Sequence, residues 1–239
     1  MLSRIGAIKV PKSCDVLAER LQQAILSGDY PPGAALPTER ELVSTTGLSR
    51  GSIRESLRIL EALGLVHTRA GRYGGSVVSR PTDALLDRHI SLFAKGRSVP
   101  LRSLVEVRQA LEPMVAYLAA RNRTESDLEG LRRISARLDA AALDDVPRFL
   151  EENAAWHSAL SAASHNELLR ALTFSVSGLM MDASRIENFA SEDVRKLVTR
   201  AHGRILQAIE TKDGDTARRR AERDVEAYAK YLEQAVSRG

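Results

Sequence analysis

The stretch Leu36-Pro37-Thr38-Glu39-Arg40-Glu41-Leu42 is followed by Leu48-Ser49-Arg50-Gly51-Ser52-Ile53-Arg54-Glu55-Ser56-Leu57 and then by Leu60-Glu61-Ala62-Leu63-Gly64-Leu65-Val66. Thr38 and Glu41 have the spacing of a capping box. The threonine hydroxyl and the carboxylate three residues on each satisfy a backbone N–H that a helix start leaves unpaired. A short helix ending near Gly47 is predicted. Ser49 is a second N-cap residue, and Ile53, Leu57, Leu60 and Leu63 recur at helical spacing until Gly64. Only Gly47 and Leu48 separate the two helices, which is the short turn of a helix-turn-helix.

The flanks extend this unit. Val16, Leu17, Leu21, Ala24 and Ile25 predict a preceding helix over 15–28, closed by Gly28 and the loop Tyr30-Pro31-Pro32-Gly33. Downstream, Leu65–Thr68 and Ser76–Ser79 are short β-prone runs around Gly71, Gly74 and Gly75, predicting a two-stranded hairpin that serves as a wing. Pro81 marks a boundary. From Thr82 onward only helical periods occur, over about 83–95, 101–122, 124–142, 146–164, 166–186, 191–212 and 214–236. The predicted class is mainly α: an N-terminal winged helix-turn-helix with a two-stranded β wing, and a C-terminal all-α antiparallel bundle of six to seven helices. The expected division is 1–80 for the winged helix-turn-helix domain, 81–100 for a linker and connecting helix, and 101–236 for the all-helical domain.

Composition narrows the function. Of 239 residues, 44% are hydrophobic and 28% charged, as in folded globular chains, while aromatics at 4% favour helix over sheet. The one cysteine, Cys14, excludes a disulfide framework or a Cys-rich zinc site. No run of ~18 consecutive apolar residues could span a membrane. Met1 to Lys12 lack the apolar core of a signal peptide, so a cytoplasmic protein is expected. The net charge of +4 sits entirely in the first third. Residues 1–80 hold 11 Lys and Arg against 7 Asp and Glu, and the remainder hold 24 against 24. That distribution suits a basic nucleic-acid module joined to a neutral partner domain.

The helix opening at Ser49 is the expected recognition helix. Arg50 and Arg54 are four residues apart and share a face, away from Ile53, Leu57 and Leu60. Each guanidinium can hold guanine O6 and N7 at once in the major groove. Ser49 and Ser52 are short donors at the helix end that also attracts phosphate. Arg40, in the first turn of the preceding helix, can reach backbone or base. Arg69 and Arg72 flank Gly71 in the wing.

These residues, with the wing Gly71-Arg72-Tyr73-Gly74-Gly75-Ser76-Val77-Val78, resemble the GntR family of bacterial winged-helix transcription regulators over about residues 12–80. The resemblance implies that Arg40, Arg50 and Arg54 contact the operator and that the wing tip near Gly71 enters the minor groove. The C-terminal half resembles the FCD subfamily, with its FadR-type C-terminal domain. The matching positions are Val105-Glu106-Val107-Arg108, Leu111-Glu112, Leu118-Ala119-Ala120, Phe149, Asn153-Ala154-Ala155-Trp156-His157, Asn166-Glu167-Leu168-Leu169, His202, Ile205 and Ala208-Ile209.

That second resemblance implies a cavity in the bundle, a divalent metal such as zinc or nickel, and a carboxylate-bearing effector. The implied metal positions are Asn153, His157, His202 and Asp224, which in the family are usually Asp, His, His and His. Asn for Asp and Asp for the last His are departures. They leave a weakened metal site, an altered metal preference or a metal-free polar pocket open, because an amide oxygen is a poorer ligand than a carboxylate. Effector contacts are expected from Arg108, Asn153, His157 and His202. Arg108 could meet an anionic effector or pair with Glu112, its i+4 neighbour. His67, His89 and His165 show no ligand spacing, and Met180 and Met181 read as core fillers.

The expected function is a ligand-responsive DNA-binding regulator, read as a repressor, that binds a palindromic double-stranded operator as a homodimer. The effector would shift the DNA-competent state through the linker and the helix over 83–95. An alternative regulator senses an acyl chain or acyl-CoA without metal. An alternative of another class is an enzyme with a winged-helix docking module. Against it, the chain has no nucleophile elbow, P-loop, dinucleotide fingerprint or H-E-x-x-H motif.

Overall fold

A computed structural model describes residues 11–71, 74–143, 145–183 and 191–236. They form two compact units, Met1–Leu85 and Leu86–Gly239.

In the first unit, α1 (Ser13–Ser27) buries Leu17, Ala18, Leu21 and Ile25 and ends at Gly28 in a left-handed conformation. Helix α2 (Glu39–Thr46) begins with the expected capping box. Thr38 Oγ1 accepts the Glu41 N–H at 3.3 Å, and the Glu41 carboxylate accepts the Thr38 N–H at 2.8 Å. Those hydrogen bonds hold the Glu41 carboxyl below its ordinary pKa. Helix α3 (Arg50–Ala62) is capped by Ser49, whose hydroxyl accepts the Ser52 N–H at 3.1 Å. Ile53 and Leu60 are fully buried and anchor α3 to a core with Leu17, Leu21, Leu36, Leu42 and Val78.

The wing is β1 (Val66–Arg69) paired antiparallel with β2 (Gly75–Val78), with Val66 opposite Val78 and Arg69 opposite Gly75. The sequence reading missed a third edge. Ala35 bridges to Val77, the Leu36 N–H donates to the Ser76 carbonyl at 2.9 Å, and the Val78 N–H donates to the Ala34 carbonyl at 2.9 Å. This edge has no β-branched residue and stops at Pro37. It forms because β2 offers unpaired backbone groups, which local propensity does not report.

The second unit is helical. It comprises the rest of α4 (Asp83–Gly96), then α5 (Leu101–Asn122), α6 (Glu125–Ala141), α7 (Val146–Ala163), α8 (Glu167–Ala183), α9 (Glu192–Glu210) and α10 (Gly214–Val236). The end expected for the fifth of these helices, 184–186, lies outside the described residues. Phe149, Trp156, Leu131, Leu138, Ile205 and Ile209 fill the main core. Helix α5 packs against α7, α8, α9 and α10. At Gly214 a Cβ would meet the Tyr117 ring at 2.9 Å, so only glycine lets α10 start this close to α5. A second capping box, Thr124 with Asp127, opens α6. Buried arginines close two helix ends. Arg123 Nη2 donates to the Glu210 carbonyl at 3.0 Å, and Arg195 Nε to the Ala142 carbonyl at 2.9 Å. No described helix is long and apolar enough to cross a membrane.

Gly64 ends the recognition helix with φ of 70°, and a Cβ there would sit 3.0 Å from Leu85 Cδ2. Gly64→Ala should therefore destabilise the first unit by about 1–2 kcal/mol, the cost of a left-handed non-glycine residue. The check is the urea midpoint of the wild type and the variant, and an unchanged midpoint contradicts the expectation.

Candidate functional site

Two sites emerge, one in each unit. On the first, the Ser49 cap fixes where α3 starts. Ile53 and Leu60 turn one face inward, which leaves Arg50 and Arg54 exposed on the outer face. Ser49 and Ser52 hold each other, Oγ to Oγ, at 3.0 Å at that helix end. Arg40, Arg69 and Gly71 are exposed, and Arg72 lies outside the described residues. One partner was not foreseen. Arg54 Nε donates to both oxygens of Glu39, at 3.1 and 3.0 Å, across the turn. A spacing of 15 residues between helices gives no sequence signal for such a pair.

On the second unit, a cavity of about 90 Å³ collects side chains from five helices: Arg108 from α5, Asn153 and His157 from α7, Ser177 and Met180 from α8, His202 from α9, and Asp224 and Tyr228 from α10. The four positions implied as metal ligands and Arg108 thus share one cavity. Met180, expected only to fill the core, also lines it. The side chain of Met181 lies outside the described residues.

Arg108 takes the pairing with Glu112. Its Nε donates to Oε1 at 2.5 Å and its Nη2 to Oε2 at 3.1 Å. The two side chains are only 13% and 5% exposed. Burial acts to discharge the guanidinium, but the Glu112 carboxylate outweighs it, with help from Tyr228 and Asp224. Arg108 stays charged, with its pKa above the ordinary value. Its carbon centre lies 5.2 Å from the centre of the Tyr228 ring, a cation–π contact. Among the described residues no hydrogen bond engages Nη1.

His157 Nδ1 lies 3.8 Å from Glu112 Oε1. Burial pushes its pKa well below 6.5, and the nearby Arg108 and His202 add to that, so the imidazole is neutral. His202 Nε2 lies 3.6 Å from Asp224 Oδ2. The His202 ring stacks on Trp156 at 3.7 Å, and Trp156 Nε1 is tied to Ser135 Oγ at 3.1 Å. Two buried polar atoms here, Asn153 Oδ1 and His202 Nδ1, have no hydrogen-bond partner among the described residues. Such atoms carry a desolvation penalty that a bound polar ligand or water relieves.

The donor set departs from the metal centre that the resemblance implies. Among the described residues no group of three or more His, Cys, Asp or Glu side chains is placed to hold a metal ion. The two imidazoles lean on different carboxylates, Asn153 offers only an amide oxygen, and a fixed guanidinium already lines the cavity. His67, His89 and His165 are exposed, and His165 Nε2 hydrogen-bonds Asp127 at 2.8 Å. Glu112 and Tyr228 were not expected at the site. Glu112 was legible only as the i+4 partner of Arg108. Tyr228 lies one helical turn beyond Asp224, so it shares that residue's face.

Comparisons with known proteins give the family of both units. The gntR family of bacterial regulatory proteins matches residues 15–74, and the FCD domain matches residues 103–227. The chain is 31% identical over 226 residues to the Glc operon transcriptional activator of Escherichia coli K12, covering 92% of this chain and 88% of the relative. It is 30% identical over 213 residues to the galactonate operon transcriptional repressor of the same strain, covering 87% and 91%. A solved structure, Streptococcus agalactiae GntR, superposes with a TM-score of 0.70 at 25% identity, covering 91% of this chain and 99% of that one. The chain belongs to the GntR family of transcription regulators, with a winged helix-turn-helix that binds DNA and an effector-binding FCD domain.

Proposed function

We propose that the protein works by binding and not by catalysis. As a homodimer it reads a palindromic operator, and a small organic acid in the bundle cavity controls its operator affinity. Two recognition helices about one DNA turn apart multiply the specificity of one. In this reading Arg50 and Arg54 contact base edges, Arg40, Ser49 and Ser52 position the helix on the backbone, and Arg69, Gly71 and Arg72 approach the minor groove. The 1–80 module carries the DNA contacts and the 101–236 module the effector, with 81–100 between them.

The buried Arg108 guanidinium, with Nη1 free of hydrogen bonds in the described protein, is the observation that carries the effector assignment. A carboxylate pairs with it in charge-assisted fashion. The fixed charges around the cavity are one cation, Arg108, against two carboxylates, Glu112 and Asp224. An acid that also bears a hydroxyl or amino donor suits them better than a bare carboxylate. The donor would meet Asp224, while Asn153 Oδ1 and His202 Nδ1 gain partners. A relative's operon is named for galactonate, a hydroxylated carboxylate. A volume of about 90 Å³ holds several waters and thus an acid of a few heavy atoms. This arrangement uses the arginine charge where a metal would otherwise stand. The acyl reading has its own support. A groove of about 500 Å³, lined in part by Val194, Leu197 and Ala227, shares Val198, Asp224 and Tyr228 with the cavity.

The effector shifts DNA affinity only by its differential affinity for the two states of the regulator. Trp156, the sole tryptophan, stacks on His202 and reports cavity occupancy. Titrating small hydroxy and amino acids against its fluorescence should give saturable binding that survives chelation by EDTA. Arg108→Gln should weaken that binding about ten- to a hundredfold, as loss of a charged hydrogen bond of about 1.5–3 kcal/mol implies. Binding that vanishes with EDTA restores the metal, and saturation only by acyl chains moves the effector to the groove.

For the DNA face, Arg50→Ala should cost about 1–3 kcal/mol of operator affinity and relax preference at one base pair. Anisotropy titrations with the enriched operator and its single-base variants measure both. An equal loss on every sequence makes Arg50 a phosphate contact.

A further inference from the structure

We infer that Glu39 is a specificity-determining residue of the DNA-reading face, because it holds Arg54 by Nε and leaves the two Nη groups as a fork for a guanine edge. The inference rests on the base-reading role proposed for Arg54. The geometry is a bifurcated grip: Nε donates to Glu39 Oε1 at 3.1 Å and to Oε2 at 3.0 Å. Among the described residues no hydrogen bond engages either Nη. Guanine recognition in the major groove needs two donors presented together to O6 and N7. An arginine clamped at Nε keeps a donor pair of that kind.

The clamp also comes from a suitable place. Glu39 is the first residue of α2, one residue beyond the Thr38 cap, so its backbone is fixed by the capping box. Arg54 lies one turn into α3. The carboxylate therefore ties the guanidinium direction to the helix-turn-helix framework and not to its own flexible stem.

Charge adds a second effect. A free exposed arginine binds any phosphate it can reach, and phosphate contacts carry no sequence information. Glu39 satisfies part of the arginine's charge and repels phosphate oxygens nearby, which disfavours the non-specific contact. As a stability device the pair is negligible, since the side chains are 62% and 41% exposed and such pairs contribute little. Its value lies in what Arg54 is prevented from doing.

The test uses the full-length protein on a randomised duplex library with sequencing of bound DNA, for wild type, Glu39→Gln and Arg54→Ala. Arg54 is exposed, Glu39 is partly exposed, neither belongs to the capping box, and matching thermal midpoints confirm that folding is intact. Wild type should enrich a guanine that Arg54→Ala no longer selects. Glu39→Gln should retain binding, lose about tenfold of the preference for that guanine, and bind random duplex more tightly. Its dependence of log affinity on log salt should steepen by about one, as the released arginine takes a phosphate. An unchanged guanine preference in Glu39→Gln, with Arg54→Ala losing it, overturns the role of Glu39 and leaves base reading by Arg54 standing. Unchanged preference at every position in Arg54→Ala overturns both.

Discussion

The bundle cavity is bordered by a buried ion pair. Arg108 and Glu112 lie one turn apart on α5, the helix that packs against four others. Placing two charges in an interior is costly, and mutual attraction only offsets the loss of water when geometry is good and other hydrogen bonds help. Here the geometry is two-pronged, and the Tyr228 ring faces the cation. An apolar pair of similar volume would stabilise the helix as well or better. The pair's contribution is different: it keeps a permanent cation beside a polar cavity and helps hold His157 neutral. The cavity therefore cannot collapse onto apolar side chains.

The same chemistry recurs at the surface with another outcome. Arg54 and Glu39 are held at 3.0 and 3.1 Å, but Arg54 is exposed and Glu39 partly so, and solvent screens their attraction. What remains is direction. Both units thus use a carboxylate to aim an arginine, with the buried pair preserving charge and the exposed pair selecting orientation.

Most of the architecture was legible because it is local. The Thr38 and Ser49 caps, the left-handed glycines at 28, 47 and 64, and the apolar spacing of Ile53 and Leu60 each set a boundary within a few residues. The seven C-terminal helices followed for the same reason. The residues of the cavity were nameable because Asn153 and His157 share a helical face, while the resemblance supplied His202 and Asp224. What local pattern could not give were relations between distant segments. The Ala35 edge depends on β2, the Glu39 grip on a neighbouring helix, and the Trp156 stack on where α7 and α9 meet. The free polar atoms of Asn153 and His202 are visible only once every neighbour is in place.

In the proposed sensing mode, the departures at two implied ligand positions matter physically. A divalent metal would concentrate two positive charges at one point and bind oxygens through dehydration of the ion. In this chain the cation that lines the cavity is the planar Arg108 guanidinium, held by Glu112, and Asp224 lines the same cavity. Such a site discriminates by direction and by matching of donors, not by raw charge. A ligand bearing only negative charge meets Asp224 unfavourably, whereas one with a donor on an adjacent atom turns that carboxylate into a contact. A carboxylate at position 224, where the resemblance implies an imidazole, is itself able to ligate a metal. It also places a full negative charge on the pocket wall, opposite in sign to the Arg108 guanidinium that lines the same cavity.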